Sequence, residues 1–239
     1  MEITIDFLKT LAIEVYEKIN PLLGTAKAGE LTKKGAGGDI SMYIDLLSEK
    51  TIMEILEKNN INVLLISEEV GEKYIGDKSV VIKEKSKLIV DPIDGSNNAA
   101  RGIPYTSVSI AYAIGEKIKN IEMAVIIDLN TKDLYYAEKG KGAFKNGHPI
   151  NVSEMDISQK CVFELDVPVS EFFKRIDQLM KILKRTYRIR IMGSTALTLC
   201  QVASGAVDAF LDLSITNRLV DVAAGFLIMK EAGGKYYSL

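Results

Sequence analysis

The sequence predicts an α/β protein of layered α+β type, with a largely antiparallel first half followed by alternating helices and strands. Between Val63 and Ala137, short apolar runs crowd together with turn residues between them, which is typical of antiparallel strands. After residue 150, apolar residues at helical spacing alternate with short strand-like runs. Because one core can grow to about 250–300 residues, a length of 239 residues fits either two modest domains or one large α/β unit.

The helices and strands of the first half are predicted from the spacing of apolar residues and from the residues that end regular structure. Apolar residues from Leu8 to Ile19 recur at helical spacing, and Asn20-Pro21 ends that helix. A glycine-rich loop follows at residues 33–39 and a second helix at about 41–58. Strands are predicted at 63–66, 87–90, 108–113, 122–128 and 134–137, with a hairpin turn at Asn146-Gly147.

The second half alternates between the two periodicities. Helices are predicted near 170–184, 194–203 and 220–232, and strands near 187–192 and 207–213.

The composition and net charge of the chain exclude several classes of function. The chain has 47% hydrophobic and 26% charged residues, which is typical of a globular protein, and its net charge of −2 gives no field for a nucleic-acid backbone or an anionic membrane. Cys161 and Cys200 have neither metal-site spacing nor a disulfide pattern, so we expect two reduced cysteines. No apolar run reaches the ~18 residues of a membrane span, and Glu2 and Asp6 do not suit a signal peptide. These features predict a cytoplasmic protein.

Gly71 to Ser79 comes close to a phosphate-binding GxxxxGK[ST] loop, but Asp77 stands where the lysine should be. We therefore interpret this segment as an exposed charged loop.

Four carboxylates stand at predicted strand and helix ends. Glu68 follows one strand, Asp91 and Asp94 follow another, and Asp221 opens the last helix. Ligand sites in α/β proteins assemble at such strand ends, and oxygen donors without Cys or His favour magnesium or manganese over zinc. An acidic solvated turn at Asp91–Ser96, with Asp221 as a simple helix N-cap, is the alternative.

Three ordered motifs carry a family resemblance: Ser67-Glu68-Glu69, Asp91-Pro92-Ile93-Asp94-Gly95-Ser96, and Val220-Asp221-Val222-Ala223-Ala224-Gly225. With them, the sequence resembles the inositol monophosphatase family of magnesium-dependent, lithium-sensitive sugar phosphatases. The resemblance implies an αβαβα sandwich of the sugar phosphatase type, with an antiparallel sheet first and a more mixed sheet second. It also implies that residues 1–239 form a single catalytic unit, with a mainly antiparallel α+β half at 1–150 and an α/β half at 151–239. Relatives usually continue past the Glu-Ala-Gly-Gly stretch through another strand and a final helix.

The resemblance also implies the ligands. Two or three Mg²⁺ ions, with Mn²⁺ as an alternative, would be held by Glu68, Asp91, the carbonyl of Ile93, Asp94 and Asp221. The phosphate would lie against Asp94, Gly95 and Ser96.

The resemblance assigns catalytic roles to Asp45, Glu68 and Ser96. Asp45 and Ser96 would orient the attacking water, and Glu68 would neighbour a third, weaker magnesium. A mobile loop from Lys34 to Asp39 would close over the site. Six helical residues correspond to about 240° of rotation, so Asp39 and Asp45 cannot share a helix face, which favours Asp39 in the loop. A solvent-facing helical acid is the alternative for Asp45.

Two features point to the archaeal branch of the family, whose members often hydrolyse both inositol phosphates and fructose 1,6-bisphosphate. Val220 replaces a common tryptophan, and the stretch 212–218 resembles that branch. Arg190 and Arg218 are candidates for a second anion site, because the arginine fork suits phosphate. Exposed or helix-capping arginines are the alternative. Thr195 and Asp212 are candidates for contacts with sugar hydroxyls.

The predicted function is therefore a magnesium-dependent phosphomonoesterase that hydrolyses inositol 1-phosphate, and also fructose 1,6-bisphosphate, by attack of metal-activated water. We expect a small-molecule sugar phosphate as partner, a homodimer, and binding to neither nucleic acid nor membrane. A phosphatase for 3′-phosphoadenosine phosphates or NADP is an alternative. A non-catalytic metal-binding regulator is the alternative of another class.

Overall fold

A computed structural model of the chain describes residues 2–36, 40–156, 160–167, 169–174, 176–213 and 218–237. Its α-helices are α1 (Ile5–Ile19), α2 (Tyr43–Lys58), α3 (Lys78–Glu84), α4 (Ser96–Arg101), α5 (Val169–Lys174), α6 (Ile176–Leu183), α7 (Thr195–Ala203) and α8 (Leu219–Glu231). Short 3₁₀ turns lie at Asn20–Leu22 and Ile118–Asn120. Among the described residues, every helix is too short or too polar to cross a lipid bilayer.

The strands form three sheets. They are β1 (Leu31–Lys34), β2 (Ile40–Met42), β3 (Val63–Ser67), β4 (Gly71–Ile75), β5 (Ser86–Asp94), β6 (Ser107–Ile114), β7 (Ile121–Asp128), β8 (Leu134–Glu138), β9 (Ala143–Lys145), β10 (His148–Ile150), β11 (Val162–Asp166), β12 (Arg188–Arg190) and β13 (Ala209–Asp212). The main sheet has the order β10-β9-β8-β7-β6-β5-β3-β4, β1 pairs with β2, and the third sheet has the order β12-β11-β13.

Strand direction in the main sheet decides where the acidic residues meet. All its pairs are antiparallel except β3 and β5, which are parallel with Ser67 opposite Val90. Parallel neighbours end at the same edge of a sheet, so the residues that follow Ser67 and Val90 lie side by side. The described strands of the third sheet are all parallel, which agrees with the alternation predicted for the second half.

Helices cover both faces of the main sheet. On one face α1 and α2 bury side chains such as Leu8, Leu11 and Ile52 against the strands. On the other face α7 and α8 bury Leu197 and Ile228. Helix α7 also contacts β13, so this helix layer touches both larger sheets. The layered α/β architecture predicted from the sequence is confirmed.

Gly71–Ser79 is not the exposed charged loop predicted from the sequence. Residues 71–75 form the edge strand β4, in which exposed Glu72 and Tyr74 alternate with less exposed neighbours, because one face of the strand meets solvent. Asp77 then caps α3 by accepting a hydrogen bond of 2.8 Å from the Ser79 amide. Asp77 in this segment therefore has a structural role at the start of a helix.

Two further elements differ from the prediction. Lys33 and Lys34, expected in the glycine-rich loop, end β1, which pairs with β2. Strand β11 was not predicted, although it is central to the third sheet. The helix predicted near residues 170–184 is observed as α5 and α6, on either side of residue 175, which lies outside the described residues.

Strand β5 extends further than predicted and carries two of the acids. The strand continues to Asp94, with an irregularity in its pairing to β6 between Asp91 and Asp94. Pro92 lacks an N–H, so it suits this irregular position, and its carbonyl accepts a hydrogen bond of 2.7 Å from the Ser48 hydroxyl. Asp91 and Asp94 are therefore held on rigid backbone.

Candidate active site

Three of the predicted acids come together. Carboxylate oxygens of Glu68, Asp91 and Asp221 lie within 4.8 Å of one another. Glu68 follows β3, and Asp91 lies on the neighbouring strand β5, so their proximity follows from the parallel pairing of these strands. Asp221 is in the first turn of α8, which packs across the same sheet.

The cluster is electrostatically strained. Asp91 is 2% exposed. Burial, reinforced by the nearby Asp94, Glu68 and Asp221, raises the pKa of Asp91 well above its usual range. Burial also raises the pKa of Glu68, although its hydrogen bond from Arg218 acts in the opposite direction. Carboxylates gathered in this way call for a positive charge between them.

The donor set fits a hard divalent cation. The cluster offers only carboxylate oxygens, which magnesium and manganese prefer, and it has none of the nitrogen or sulfur ligands typical of zinc. A cationic group already lies there, because the Arg218 guanidinium binds both Glu68 and Asp221. Glu68, Asp91 and Asp221 are thus able to hold a metal ion, as the sequence predicted.

Asp94 lies beside this cluster but is anchored differently. Its carboxylate accepts hydrogen bonds from the Ser194 hydroxyl (2.7 Å) and from the amides of Thr195 (3.3 Å) and Ala196 (2.6 Å), at the start of α7. Burial raises the pKa of Asp94 to about 7, against the effect of these hydrogen bonds. A carboxylate has about four lone-pair positions, so Asp94 keeps capacity for a further ligand.

Asp45 and Ser96 form a direct pair. The Ser96 hydroxyl donates a hydrogen bond of 2.6 Å to Asp45, and it also lies 2.9 Å from the Ile93 carbonyl oxygen. Asp45 is fixed by its position in the first turn of α2, where it accepts a 2.9 Å hydrogen bond from the Met42 amide. It is 4% exposed, so the alternative of a solvent-facing helical acid is wrong.

The environment of Asp45 suits a base. Burial raises the pKa of Asp45 to about 6, although the hydrogen bonds from Ser96 and Met42 lower it. A carboxylate with such a pKa is mostly ionised at neutral pH and still accepts a proton readily.

A cavity of about 160 Å³ lies between the pair Asp45 and Ser96 and Glu68 of the carboxylate cluster. It is lined by Gly35, Ile40, Ser41, Met42, Asp45, Glu68, Glu69, Ser96 and Asn97. Glu69 accepts a hydrogen bond from the Ser41 hydroxyl. A Cβ at Gly35 would lie 2.6 Å from a Glu69 carboxylate oxygen, so a larger residue at this rim would have to displace the Glu69 side chain. Asp45, Ser96 and Glu68 thus face one common space.

Gly95 is required where it stands for two reasons. Its φ is +91°, in the region that favours glycine, and a Cβ would lie 3.1 Å from the carbonyl oxygens of both Gly193 and Tyr105. This glycine lets β5 turn directly into α4, which presents Ser96 to Asp45.

The predicted substrate residues divide into two groups. Thr195 begins α7 next to Asp94, and its side chain hydrogen-bonds Asp166. Asp212 ends β13 directly opposite Asp166 in the third sheet. Arg190, by contrast, is an exposed residue at the end of β12, where it pairs with Glu164 of β11.

Arg218 lies in the metal cluster itself. Its guanidinium donates to Asp221 through Nη2 (3.0 Å) and Nε (3.3 Å) and to Glu68 through Nη1. The Arg218 amide also donates to Asp221 at 3.0 Å, which completes a capping box. Asp221 is therefore the third residue of α8, and the interpretation of Asp221 as the N-cap is wrong because Arg218 holds that position.

The predicted mobile loop is described in part. Lys34 ends β1, whereas Asp39 lies outside the described residues.

Sequence reasoning missed Ser194 and Asp166. Ser194 caps α7 and fixes Asp94, and a serine before an apolar helical run was an available signal for such a cap. Asp166 lies on β11, which had no predicted strand, so nothing marked it as a strand-end acid.

Comparisons with known proteins agree with this geometry. Residues 1–239 match the inositol monophosphatase family. A fructose-1,6-bisphosphatase/inositol-1-monophosphatase of Methanothermobacter thermautotrophicus is 38% identical over 94% of this chain and 80% of its own. A bifunctional NADP phosphatase/NAD kinase of Methanococcus maripaludis is 37% identical over 94% of this chain, which spans 41% of that protein.

A solved structure gives the same result at the level of fold. The Thermotoga maritima IMPase superposes with a TM-score of 0.78 at 33% identity, covering 95% of this chain and 82% of its own. The ordered acidic motifs, the layered fold and the matches over the whole length lead to one conclusion. This chain belongs to the inositol monophosphatase family.

Proposed function

We propose that this chain is a magnesium-dependent phosphomonoesterase that hydrolyses inositol 1-phosphate and fructose 1,6-bisphosphate. One observation carries the proposal: the hydrogen-bonded pair Asp45 and Ser96 faces the same cavity as Glu68, a member of the carboxylate cluster. A site with a base, a hydroxyl and a cation-binding cluster around one space suits hydrolysis of a phosphate ester.

The pair supplies a route for one proton. Ser96 has a single hydroxyl hydrogen, which ionised Asp45 accepts at 2.6 Å, so the oxygen of Ser96 keeps lone pairs for a hydrogen of the attacking water. As the water attacks phosphorus, its proton would pass to Ser96 Oγ while the serine proton passes to Asp45 Oδ1. The ester P–O bond would break at the same time, and the leaving sugar oxygen would take a proton from solvent water. Burial that raises the pKa of Asp45 to about 6 makes it an effective final acceptor near neutral pH.

Glu68, Asp91 and Asp221 would hold the first magnesium ions, with the Ile93 carbonyl and Asp94 as further ligands. When bound, magnesium supplies positive charge that neutralises the phosphate oxygens and makes a nearby water more acidic. The Ile93 carbonyl has a second lone pair besides the one that faces Ser96, which supports its role as a ligand. Two or three ions fit the number of oxygen donors.

Substrate recognition is proposed on the other side of Asp94. Asp94, Gly95 and Ser96 would contact the phosphate, and Thr195 and Asp212 would contact sugar hydroxyls. The contact between Thr195 and Asp166, opposite Asp212, supports this assignment because it places hydroxyl-binding groups together. Exposed Arg190 is the proposed contact for the second phosphate of a bisphosphate, with Arg218 as a second candidate. The loop from Lys34 to Asp39 would close over the substrate.

The test is release of inorganic phosphate from a substrate panel, with magnesium or with a chelator. We expect turnover of inositol 1-phosphate and fructose 1,6-bisphosphate only with magnesium, and its loss in Asp45→Asn. Exposed Glu57→Gln is the control that removes one carboxylate elsewhere on α2. A folded protein that hydrolyses none of the sugar phosphates would overturn the proposal.

The second candidate is an NADP phosphatase. The relative from Methanococcus maripaludis, 37% identical, is named for that activity, which favours including NADP in the panel. A higher kcat/KM for NADP than for both sugar phosphates would establish this candidate instead. Activity on 3′-phosphoadenosine phosphate belongs to the same test, and metal binding without any hydrolysis would favour a regulatory protein.

Three further proposals concern the extent of the catalytic unit, the oligomeric state and the location of the protein. We propose that residues 1–239 act as one catalytic unit, that the protein is a homodimer, and that it resides in the cytoplasm. The family resemblance supports the dimer, and sedimentation analysis at several concentrations tests it. Manganese is expected to replace magnesium in the activity assay.

A further inference from the structure

The Arg218 guanidinium lies between two acids, Glu68 and Asp221, that stand in different halves of the sequence. It binds Asp221 through Nη2 at 3.0 Å and Nε at 3.3 Å, and it binds Glu68 through Nη1. Both oxygens of Asp221 are engaged, since the Arg218 amide also reaches Oδ2 at 3.0 Å. Glu68 follows β3, whereas Arg218 and Asp221 begin α8, so the contact joins the two halves of the chain.

This arrangement balances charge within the cluster. The side chains of Glu68 and Asp221 are only 18% and 15% exposed, and Asp91 lies beside them with its carboxylate buried. Three such carboxylates repel one another when no positive charge separates them. The planar guanidinium is suited to bridging two carboxylates, and the side chain of Arg218 is itself 36% exposed, which leaves it a path outward.

The proposed metal ion would bind the same carboxylate oxygens of Glu68 and Asp221 that now accept hydrogen bonds from the guanidinium. A cation bound to Glu68 and Asp221 would compete with the guanidinium for the oxygens that it now holds, and two cations between the same carboxylates repel each other. Binding of the metal ion and the observed position of the guanidinium therefore disfavour one another.

We infer that Arg218 is an internal counter-ion of the metal site, which holds Glu68 and Asp221 together without metal and is displaced when the divalent cation binds. The inference rests on the proposed function, because it takes this cluster to be the magnesium site. Arg218 is a positioning residue here. It stabilises the metal-free protein and lowers its affinity for magnesium, and its release makes the guanidinium available to an anionic substrate.

The test compares metal-stripped wild type with Arg218→Gln, Arg218→Lys and the control Arg185→Gln, which removes an exposed arginine from a turn. We expect Arg218→Gln to melt at a lower temperature without metal and to bind Mg²⁺ about fivefold or more tightly by calorimetry. Arg218→Lys keeps the positive charge but lacks the forked guanidinium, so its affinity for Mg²⁺ should lie between those of wild type and Arg218→Gln. Arg185→Gln should bind Mg²⁺ as wild type does. Equal or weaker magnesium binding by Arg218→Gln would overturn the inference.

A second measurement needs no variant to fold. In wild type, NMR of the arginine Nε–H groups should show a protected Arg218 signal that loses its protection as Mg²⁺ is added. A signal that keeps its position and protection at saturating Mg²⁺ contradicts displacement. Wild type that binds no Mg²⁺ at all would overturn the proposed function and the inference with it, which separates the two failures.

Discussion

The Ser96 hydroxyl donates a 2.6 Å hydrogen bond to Asp45, 51 residues earlier in the chain, and thereby joins the start of α4 to α2 at the described cavity. Asp45 is held by the first turn of α2, and Ser96 by the turn at Gly95. Because two separate elements fix the pair, its geometry does not depend on a bound substrate.

Removing either member of this pair should impair catalysis more than folding. We expect Asp45→Asn and Ser96→Ala to lower kcat by about 10²–10⁴-fold, since each breaks the proton route from water to Asp45. Magnesium affinity should change little, because neither side chain belongs to the carboxylate cluster. Steady-state kinetics with circular dichroism as a folding control tests this, and an unchanged kcat in either variant would exclude the proposed base.

Asp91→Asn should stabilise the metal-free protein while weakening its binding of magnesium. Burial raises the pKa of Asp91 well above its usual range, so its charged form opposes folding, and an uncharged isostere should raise the melting temperature in chelator. The same change removes a ligand and should weaken magnesium binding by more than about tenfold. Calorimetry and thermal melts check both effects, with Glu57→Gln as control. Undiminished magnesium affinity would remove Asp91 from the ligand set.

The metal-free protein should lose stability as pH rises from about 4 to 7. Burial raises the pKa of Asp45 to about 6 and that of Asp94 to about 7, both above the ordinary value of 3.8 for an aspartate. In this range the folded state binds more protons than the unfolded state, so the free energy of unfolding falls as pH rises.

Thermal melts in chelator at pH 5 and pH 8 measure this dependence. Asp94→Asn removes one titrating group and should show a smaller drop than wild type. A wild-type melting temperature that increases across this range, or an equal drop in Asp94→Asn, would contradict the assignment of raised pKa values.

Gly225 should resist substitution, because α7 and α8 pack closely there. A Cβ on Gly225 would lie 2.6 Å from Cδ1 and 2.7 Å from Cβ of Leu199. We expect Gly225→Ala to lower the free energy of unfolding by about 1–3 kcal/mol, despite the higher helix propensity of alanine. Urea denaturation measures the change. Leu199→Ala removes Cδ1 but keeps Cβ, so it should relieve part of the contact, and the double variant should cost less than the sum of the single variants. Simple additivity would show that the contact with Cδ1 is not the cause.

Local patterns made most of the site predictable. Glu68, Asp91 and Asp221 follow or begin strongly apolar elements, so their positions at element ends could be inferred without knowing the tertiary structure. The parallel pairing of β3 and β5 then brings the first two together. The hairpin turn at Asn146-Gly147 was also predictable, since both residues have positive φ as this type of turn requires.

Long-range contacts explain what the sequence did not reveal. Arg218 looked like an anion-binding residue, because nothing local shows that Glu68 lies beside it across 150 residues. Strand β11 has buried Glu164 and half-buried Asp166 in its short run, and its central place in the third sheet, which the sequence does not reveal, accounts for this burial. Edge strand β4 and helix α3 were concealed by charged residues that face solvent.

The most direct test of the account is phosphate release from inositol 1-phosphate by metal-stripped wild type, titrated with Mg²⁺ beside Asp91→Asn. We predict no release without Mg²⁺, saturable release as it is added, and none from the folded variant at the same concentrations. Release that persists in chelator, or Asp91→Asn as active as wild type, would contradict a reaction that depends on the carboxylate cluster.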